Sequence, residues 1–220
     1  MTANSNLIEY YAKRAAEYEK IYQKPERQKD LATLRKLLQE QLAGEDVLEA
    51  ACGTGYWTQV VAKTANSILA TDINEEVLQI ARLKDYFGRK VVFEKRDAFQ
   101  LSTMKGHFTA GLAAFWWSHL KKSEVTRFLW EFHQALAPGS KVVFLDNKYV
   151  SGSSTPISRT DEAGNTYQLR RLDNGTEYEV LKNFPDESEL RKAVNGRADD
   201  IQFISLTYYW IFGYRTVKSQ

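Results

Sequence analysis

Cysteine, methionine, proline and histidine are all scarce: one Cys, two Met, four Pro and three His in 220 residues. A single cysteine, Cys52, excludes a disulfide framework and a cysteine-based zinc site. His107, His119 and His133 share no metal-ligand spacing, so no metal is expected. Net charge of one sign is also missing. Thirty Lys and Arg against 28 Asp and Glu leave +2, which argues against nucleic acid or an anionic membrane as the partner. No apolar run approaches the ~18 residues of a membrane-spanning helix. The opening MTANSNLIEYYAKRAAEYEK carries no apolar signal core either, so a cytoplasmic protein, monomer or homodimer, is expected. What is plentiful is core-forming material. The chain is 43% hydrophobic and 13% aromatic, enough to bury the core of one domain.

The first 45 residues read as helical, with Leu7, Tyr11, Arg14, Tyr18 and Ile21 on one stripe and Leu31, Leu34, Leu37 and Leu38 on a second beyond Pro25. From residue 46 to about 150, short apolar strands alternate with helical periods. VLEAA, SILATD, VVFEKRD, TAGLAAF and KVVFLDN are the five strands. Such alternation predicts an α/β fold with a doubly wound, mostly parallel sheet. The alternation breaks over 151–185, where a Gly/Ser-rich loop leads into YQLRRLDNGTEYEVLKNF, an expected β-hairpin turning at Asn174-Gly175. Residues 186–220 supply a last helix and strand-like closing segments.

The sharpest local signal is VLEAACGTGYWT, residues 47–58. Glu49 ends a strand, and Gly53-Thr54-Gly55 turns the backbone tightly into a helix, exposing main-chain N–H groups to a ligand. A dinucleotide fingerprint would place a third glycine where Thr58 stands. Asp72 ends the second strand, where a carboxylate can accept both hydroxyls of a ribose, and Asp97-Ala98-Phe99 follows the third. All lie at the carboxyl ends of parallel strands, where open α/β sheets bind ligands.

This pattern resembles the class I S-adenosylmethionine-dependent methyltransferases. The resemblance implies a seven-stranded Rossmann-like sheet with its last strand antiparallel, and S-adenosylmethionine as cofactor, leaving as S-adenosylhomocysteine. It places Glu49, Ala51, Gly53 and Gly55 by the methionine part, with Tyr56 and Trp57 continuing that loop. It places Asp72 and the adjoining Ile73 at the ribose, Asp97, Ala98 and Phe99 at the adenine, and Ala114 at the end of strand four. The acidic residue usual at the start of strand four is replaced by Thr109. YYAKRAAEY near the start, Tyr56-Trp57-Thr58, Trp116 with His119, RFLWEFHQALAPG, Arg170-Arg171 and Lys182 resemble bacterial small-molecule O-methyltransferases that act on acid oxygens, the phosphonate enzymes especially.

By that resemblance the N-terminal helices are a lid, with Tyr11 and Tyr18 shielding the sulfonium and Arg14 reaching a carboxylate or the acceptor. His119, in FWWSHL after strand four, is the candidate catalytic residue, either a general base or a hydrogen-bond donor to an anionic oxygen. A two-residue Asn174-Gly175 turn pairs Arg171 with Tyr178, Leu169 with Val180 and Tyr167 with Lys182, and sends Arg170 to the opposite face with Glu179. Arg171, Tyr178 and Lys182 then face an anionic small-molecule acceptor together with Trp116. A one-residue slip would substitute Arg170. Phenol or amine methylation with His119 as base, and cofactor binding without turnover, are the alternatives.

Overall fold

Five of the apolar segments pair in parallel: β1 (Asp46–Ala50), β2 (Ser67–Asp72), β3 (Lys90–Lys95), β4 (Phe108–Ala114) and β5 (Leu136–Asn147). The computed structural model describes residues 5–104 and 107–217. Helices α1 (Ser5–Arg14) and α2 (Gln28–Gln41), with 3-10 turns over Ala15–Gln23 and Pro25–Arg27 between them, precede the sheet. The crossovers contain α3 (Tyr56–Val61), α4 (Glu75–Arg82) and α5 (Val125–Gln134). Strands β6 (Arg159–Thr160), β7 (Thr166–Arg171) and β8 (Glu177–Leu181) form a separate antiparallel sheet. Helix α6 (Glu187–Ala193) leads to β9 (Ala198–Ser205) and β10 (Tyr209–Thr216). The main sheet runs β3-β2-β1-β4-β5-β10-β9, with β10 antiparallel to both neighbours. The strand order reverses between β1 and β4, which opens a crevice at their carboxyl ends.

Burial explains why these strands are central. Val47, Leu48, Ala50, Ala110, Leu112, Val142, Phe144 and Leu145 are fully buried, as near-continuous apolar strands covered on both faces must be. One face packs against Leu31, Leu34 and Leu38 of α2 and Val61 of α3, the other against Phe128, Leu129 and Phe132 of α5. Helix α6 starts at the capping box of Asp186 and Glu189, the S/T/D-x-x-E signature present in PDESE.

The hairpin register differs from the sequence expectation by one residue. Gly175, at φ +89°, closes a three-residue loop in which its N–H donates to Leu172 O at 2.8 Å and Leu172 pairs with Thr176. This is the turn-plus-left-handed-glycine solution for a three-residue hairpin, rather than the two-residue turn that Asn-Gly also satisfies. Arg170 therefore lies opposite Tyr178, Gln168 opposite Val180 and Arg171 opposite Glu177. Glu179 pairs with Arg159 at 2.7 Å instead of Arg170. The reason is packing: this register seats Leu172, Val180 and Tyr178 against Leu7 and Tyr10 of α1, while Leu169 turns outward, half exposed. The expected inward face of Arg171 is thereby corrected to Arg170.

Candidate functional site

At the mouth of the crevice the chain leaves β1 through a strained loop. Ala51 takes φ +53°, Gly53 +56° and Gly55 +76°. The two glycines do different work. A Cβ on Gly53 would meet nothing within 4 Å, so its open side faces the crevice, whereas one on Gly55 would strike the Tyr86 hydroxyl at 2.5 Å and Ala81 at 3.0 Å. Gly53 leaves room for a ligand; Gly55 lets α3 close on α4.

Asp72 organises this loop. Its carboxylate accepts the Gly53 N–H and the Asn74 N–H, each at 2.9 Å, and keeps lone pairs for hydroxyl donors. Burial pushes its carboxyl up to about 6, against the pull of those N–H groups. Glu49 is more extreme. It is 1% exposed, and neither carboxylate oxygen has a hydrogen-bond partner among the described residues. Burial, with the Asp72 charge adding to it, pushes Glu49 up to about 8. A buried acid with so little hydrogen bonding, the Thr58 side chain alone drawing its carboxyl down by that means, costs stability.

The Glu49 shift fixes a stability prediction. The folded chain holds this proton up to about pH 8, while the unfolded chain releases it near 4.5. Stability is therefore lost as pH rises from about 5 to 8. Glu49→Gln removes its share of that loss, of order 2–4 kcal/mol at pH 8 and roughly 5–10 °C in Tm, while weakening ligand binding. Thermal melts of both proteins from pH 5 to 8 measure it; parallel pH trends would refute the assignment.

Ala51, Gly53, Asp72, Ile73, Asp97, Ala98 and Ala114 line one cleft, together with Tyr11, Tyr18, Trp116 and His119. Leu7 of the N-terminal stripe and Thr54 of the glycine turn also line it, with Ile8, Asn74, Val77 and Arg96, which carried no sequence signal. Asp97 is held as an N-cap by the Phe99 N–H at 2.9 Å. Tyr56, Trp57, Gly55, Glu49 and Phe99 stand behind the cleft wall rather than on it. Tyr56 stacks on Tyr22 at 4.0 Å and accepts hydrogen bonds from Arg35, and Trp57 donates to the Tyr22 hydroxyl at 3.0 Å. Phe99 packs between Trp116 and the Arg127 guanidinium. Trp116 belongs to this cleft, with a buried indole N–H that has no partner among the described residues.

A second cavity, of about 300 Å³, shares Tyr11, Tyr18, Phe115 and His119 with the first. Phe115 sits at this junction with φ +60°, a backbone state costing an aromatic residue about 1–3 kcal/mol and typical of functional sites. Its N–H donates to Leu145 O at 2.7 Å, and its ring packs on Trp57 and Tyr209. His119 is pinned between two partners. Leu181 O, 2.8 Å from Nδ1, can only accept, so Nδ1 carries the proton and Nε2 accepts from the Tyr11 hydroxyl at 2.7 Å. Burial, then the Lys182 charge, holds the imidazole well below its usual range, so it is neutral at pH 7.

The second cavity is lined by six cationic side chains, Arg14, Lys24, Arg27, Arg170, Arg171 and Lys182, and by no carboxylate. Arg14 stacks over the Tyr10 and Tyr18 rings. Arg170 donates to Gln168 Oε1 at 2.7 Å, and its buried Nε has no partner among the described residues. Lys182 is 3% exposed and reaches Asp146 at 3.0 Å and Ser118 at 2.5 Å. Burial lowers its ammonium to about 8 even though Asp146 supports the charge. Tyr178 lines neither cavity. Its hydroxyl joins Glu9 and Lys13, tying the hairpin to α1. Lys24 and Arg27 were not singled out in the sequence, because nothing local marks a lysine and an arginine flanking a Pro-Glu pair.

Residues 47–139 match the family described as "Methyltransferase domain". The demethylmenaquinone methyltransferase of Lactococcus lactis is 26% identical over 113 residues, 49% of this chain and 44% of that one. That of Tropheryma whipplei is 28% identical over 117 residues, 53% of this chain and 48% of that one. The chain thus spans about half the length of the curated relatives it matches. Among solved structures, DhpI in complex with SAM and HEP superposes with a TM-score of 0.76 at 25% identity, over 97% of this chain and all of that one. A Pyrococcus horikoshii protein superposes with a TM-score of 0.71 at 18% identity, over 91% of this chain and 98% of that one, which bears on the fold alone. Strand order, glycine loop and superposition agree: the chain has the class I S-adenosylmethionine-dependent methyltransferase fold, and residues 47–139 match the methyltransferase domain.

Proposed function

We propose that this chain moves a methyl group from S-adenosylmethionine to an anionic oxygen, phosphonate or carboxylate, of a small metabolite. The observation that carries the reading is the cavity wall of six cations without a carboxylate, joined to the glycine-loop cleft at Tyr11, Tyr18, Phe115 and His119. DhpI, whose complex holds both SAM and HEP, supports the same class of acceptor. The residues of the first cleft fit the cofactor. Asp72 would accept its ribose hydroxyls, Ala98 would flank its adenine, and the unpaired Glu49 answers the positive charge of its methionine end. The cofactor supplies a methyl already activated on a sulfonium. The S–C bond breaks as the O–C bond forms, and the leaving sulfur keeps the electron pair, so no proton need move when the acceptor oxygen is ionised.

The chain's contribution is therefore binding, orientation and exclusion of water. Arg170, Lys182 and Arg14 would hold the anion, each by charge-assisted hydrogen bonds. Asp146 keeps Lys182 in place, while Tyr11 and Tyr18 close the junction. His119, neutral and already accepting from Tyr11, serves better as the strut that fixes Tyr11 than as a general base.

A pH profile tests this division. With an acid acceptor, kcat is expected to stay flat from about pH 6.5 to 9. The ratio kcat/KM falls above about pH 8, as the free enzyme's Lys182 loses its proton and with it part of the anion's hold. His119→Ala costs only a few-fold in kcat. A kcat that climbs steeply with pH, together with a loss of about 10²-fold or more in His119→Ala, would move the assignment to a phenol or amine acceptor. Absence of S-adenosylhomocysteine formation with every acid offered, despite cofactor binding, would leave a binding protein without turnover.

A further inference from the structure

Five of the six cations of the acceptor cavity fall into two sets; the sixth, Arg171, is exposed to solvent. Arg14, Arg170 and Lys182 surround His119, Tyr11 and Tyr18, and it is Arg170 and Arg14 whose charges act on Lys182. Lys24 and Arg27 form a second set on the 3-10 turn, facing the loop after β5. Arg27 is 7% exposed and lies over the rings of Tyr208 and Tyr209, 5.1 and 5.5 Å from their centroids. Its guanidinium donates to Ser153 Oγ at 2.9 Å, Ser153 O at 3.3 Å and Asn147 Oδ1 at 3.3 Å. Lys24 donates to Ser153 O at 3.0 Å.

No carboxylate among the described residues comes within 4 Å of either cation. The compensation present is Glu26, which feels both charges and accepts from the Ser153 hydroxyl at 3.1 Å, but it is exposed, where water screens it. A buried guanidinium held only by neutral acceptors is costly to keep and is repaid by an anion. The anion held by the first set cannot neutralise both sets if it must also present an oxygen at the junction with the cofactor cleft. The cavity, about 300 Å³, is also larger than a lone phosphonate or carboxylate fills.

We propose that the acceptor is a diacid: one acidic group is methylated against Arg170 and Lys182, and a carboxylate elsewhere on the same molecule is held by Lys24 and Arg27. A carboxylate is the better match than a second phosphate because few donors remain. Four Arg27 N–H groups are taken by Ser153 and Asn147 and the guanidinium also bonds Tyr209, while Lys24 keeps two N–H groups beyond its bond to Ser153 O. This inference rests on the acid-acceptor reading and narrows it.

The experiment compares phosphonobutyrate with phosphonobutyramide, molecules of one shape that differ by a single charge. Binding of each is measured by calorimetry to the full chain in the presence of S-adenosylhomocysteine, and methyl-ester formation is measured separately with S-adenosylmethionine. Phosphonobutyrate is expected to bind about 10- to 100-fold more tightly, one charge-assisted contact of about 1.5–3 kcal/mol. Lys24→Met and Arg27→Met should each shrink that ratio, with Arg27→Lys retaining more of it than Arg27→Met. Lys24 is exposed, so its variant keeps the test valid if loss of Arg27 unfolds the turn. Equal binding of the two ligands, or a ratio that survives both Met variants, overturns the diacid inference. Methylation of neither ligand, with the binding preference intact, would instead overturn the acid-methylation reading.

Discussion

Replacing Arg170 with alanine is expected to raise the acceptor KM about 100-fold or more, with a smaller fall in kcat and cofactor affinity within about twofold. The three-residue turn closed by Gly175 points Arg170 inward, opposite Tyr178, and leaves Arg171 exposed opposite Glu177. A buried guanidinium bound to an anion supplies about 3 kcal/mol, and truncation leaves the anion facing a desolvated wall. The charge it binds exists before the reaction and is partly neutralised as the methyl arrives. The loss therefore falls mainly on ground-state binding and shows in KM. Arg170→Glu should be worse than Arg170→Ala, because it adds repulsion. Arg171→Ala should stay within about twofold. Steady-state kinetics on the three variants decide it: equal behaviour of Arg170→Ala and Arg171→Ala would mean that the hairpin is a structural edge.

Asp72→Ala carries the second large effect, a loss of cofactor affinity of at least tenfold and up to about 10³-fold. In the proposed ribose contact two hydroxyl-to-carboxylate hydrogen bonds would be removed, each worth about 1.5–3 kcal/mol at most. The Gly53 and Asn74 N–H groups also lose the acceptor that shapes the loop. The pH dependence follows from the same residue. Its carboxyl sits at about 6 in the folded chain, so the ionised acceptor is complete above about pH 7 and is lost as pH falls through 6. Wild-type affinity should drop about tenfold from pH 7 to 5, a trend absent in Asp72→Asn. Calorimetry at the two pH values, with circular dichroism to confirm folding, measures both. Affinity unchanged in Asp72→Ala would remove the ribose assignment, and a flat wild-type profile would remove the pH argument.

Much of this fold was legible because its signals are local. Buried parallel strands announce themselves as apolar runs, and Glu49, Gly53, Gly55 and Asp72 stand at the strand ends where the crevice opens. The turn at 173–175 was also locally marked, yet Asn-Gly satisfies two loop lengths that differ by one residue, and one residue exchanges the faces of a strand. Only the fit of Leu172, Val180 and Tyr178 against Leu7 and Tyr10 chooses between them.

The same distinction separates the two cavities. The sequence by itself determined the sheet, its glycine loop and the acidic strand ends, since each depends on residues adjacent in the chain. Tertiary structure alone decided that Tyr56 and Trp57 support the loop from behind, that Tyr11 meets His119 across 108 residues, and that Lys24 and Arg27 face Ser153 across more than 120. The cation wall is assembled from two distant segments, residues 14–27 and 170–182. Charge has no periodicity along a chain, and its meaning depends on which neutral and charged groups folding places around it.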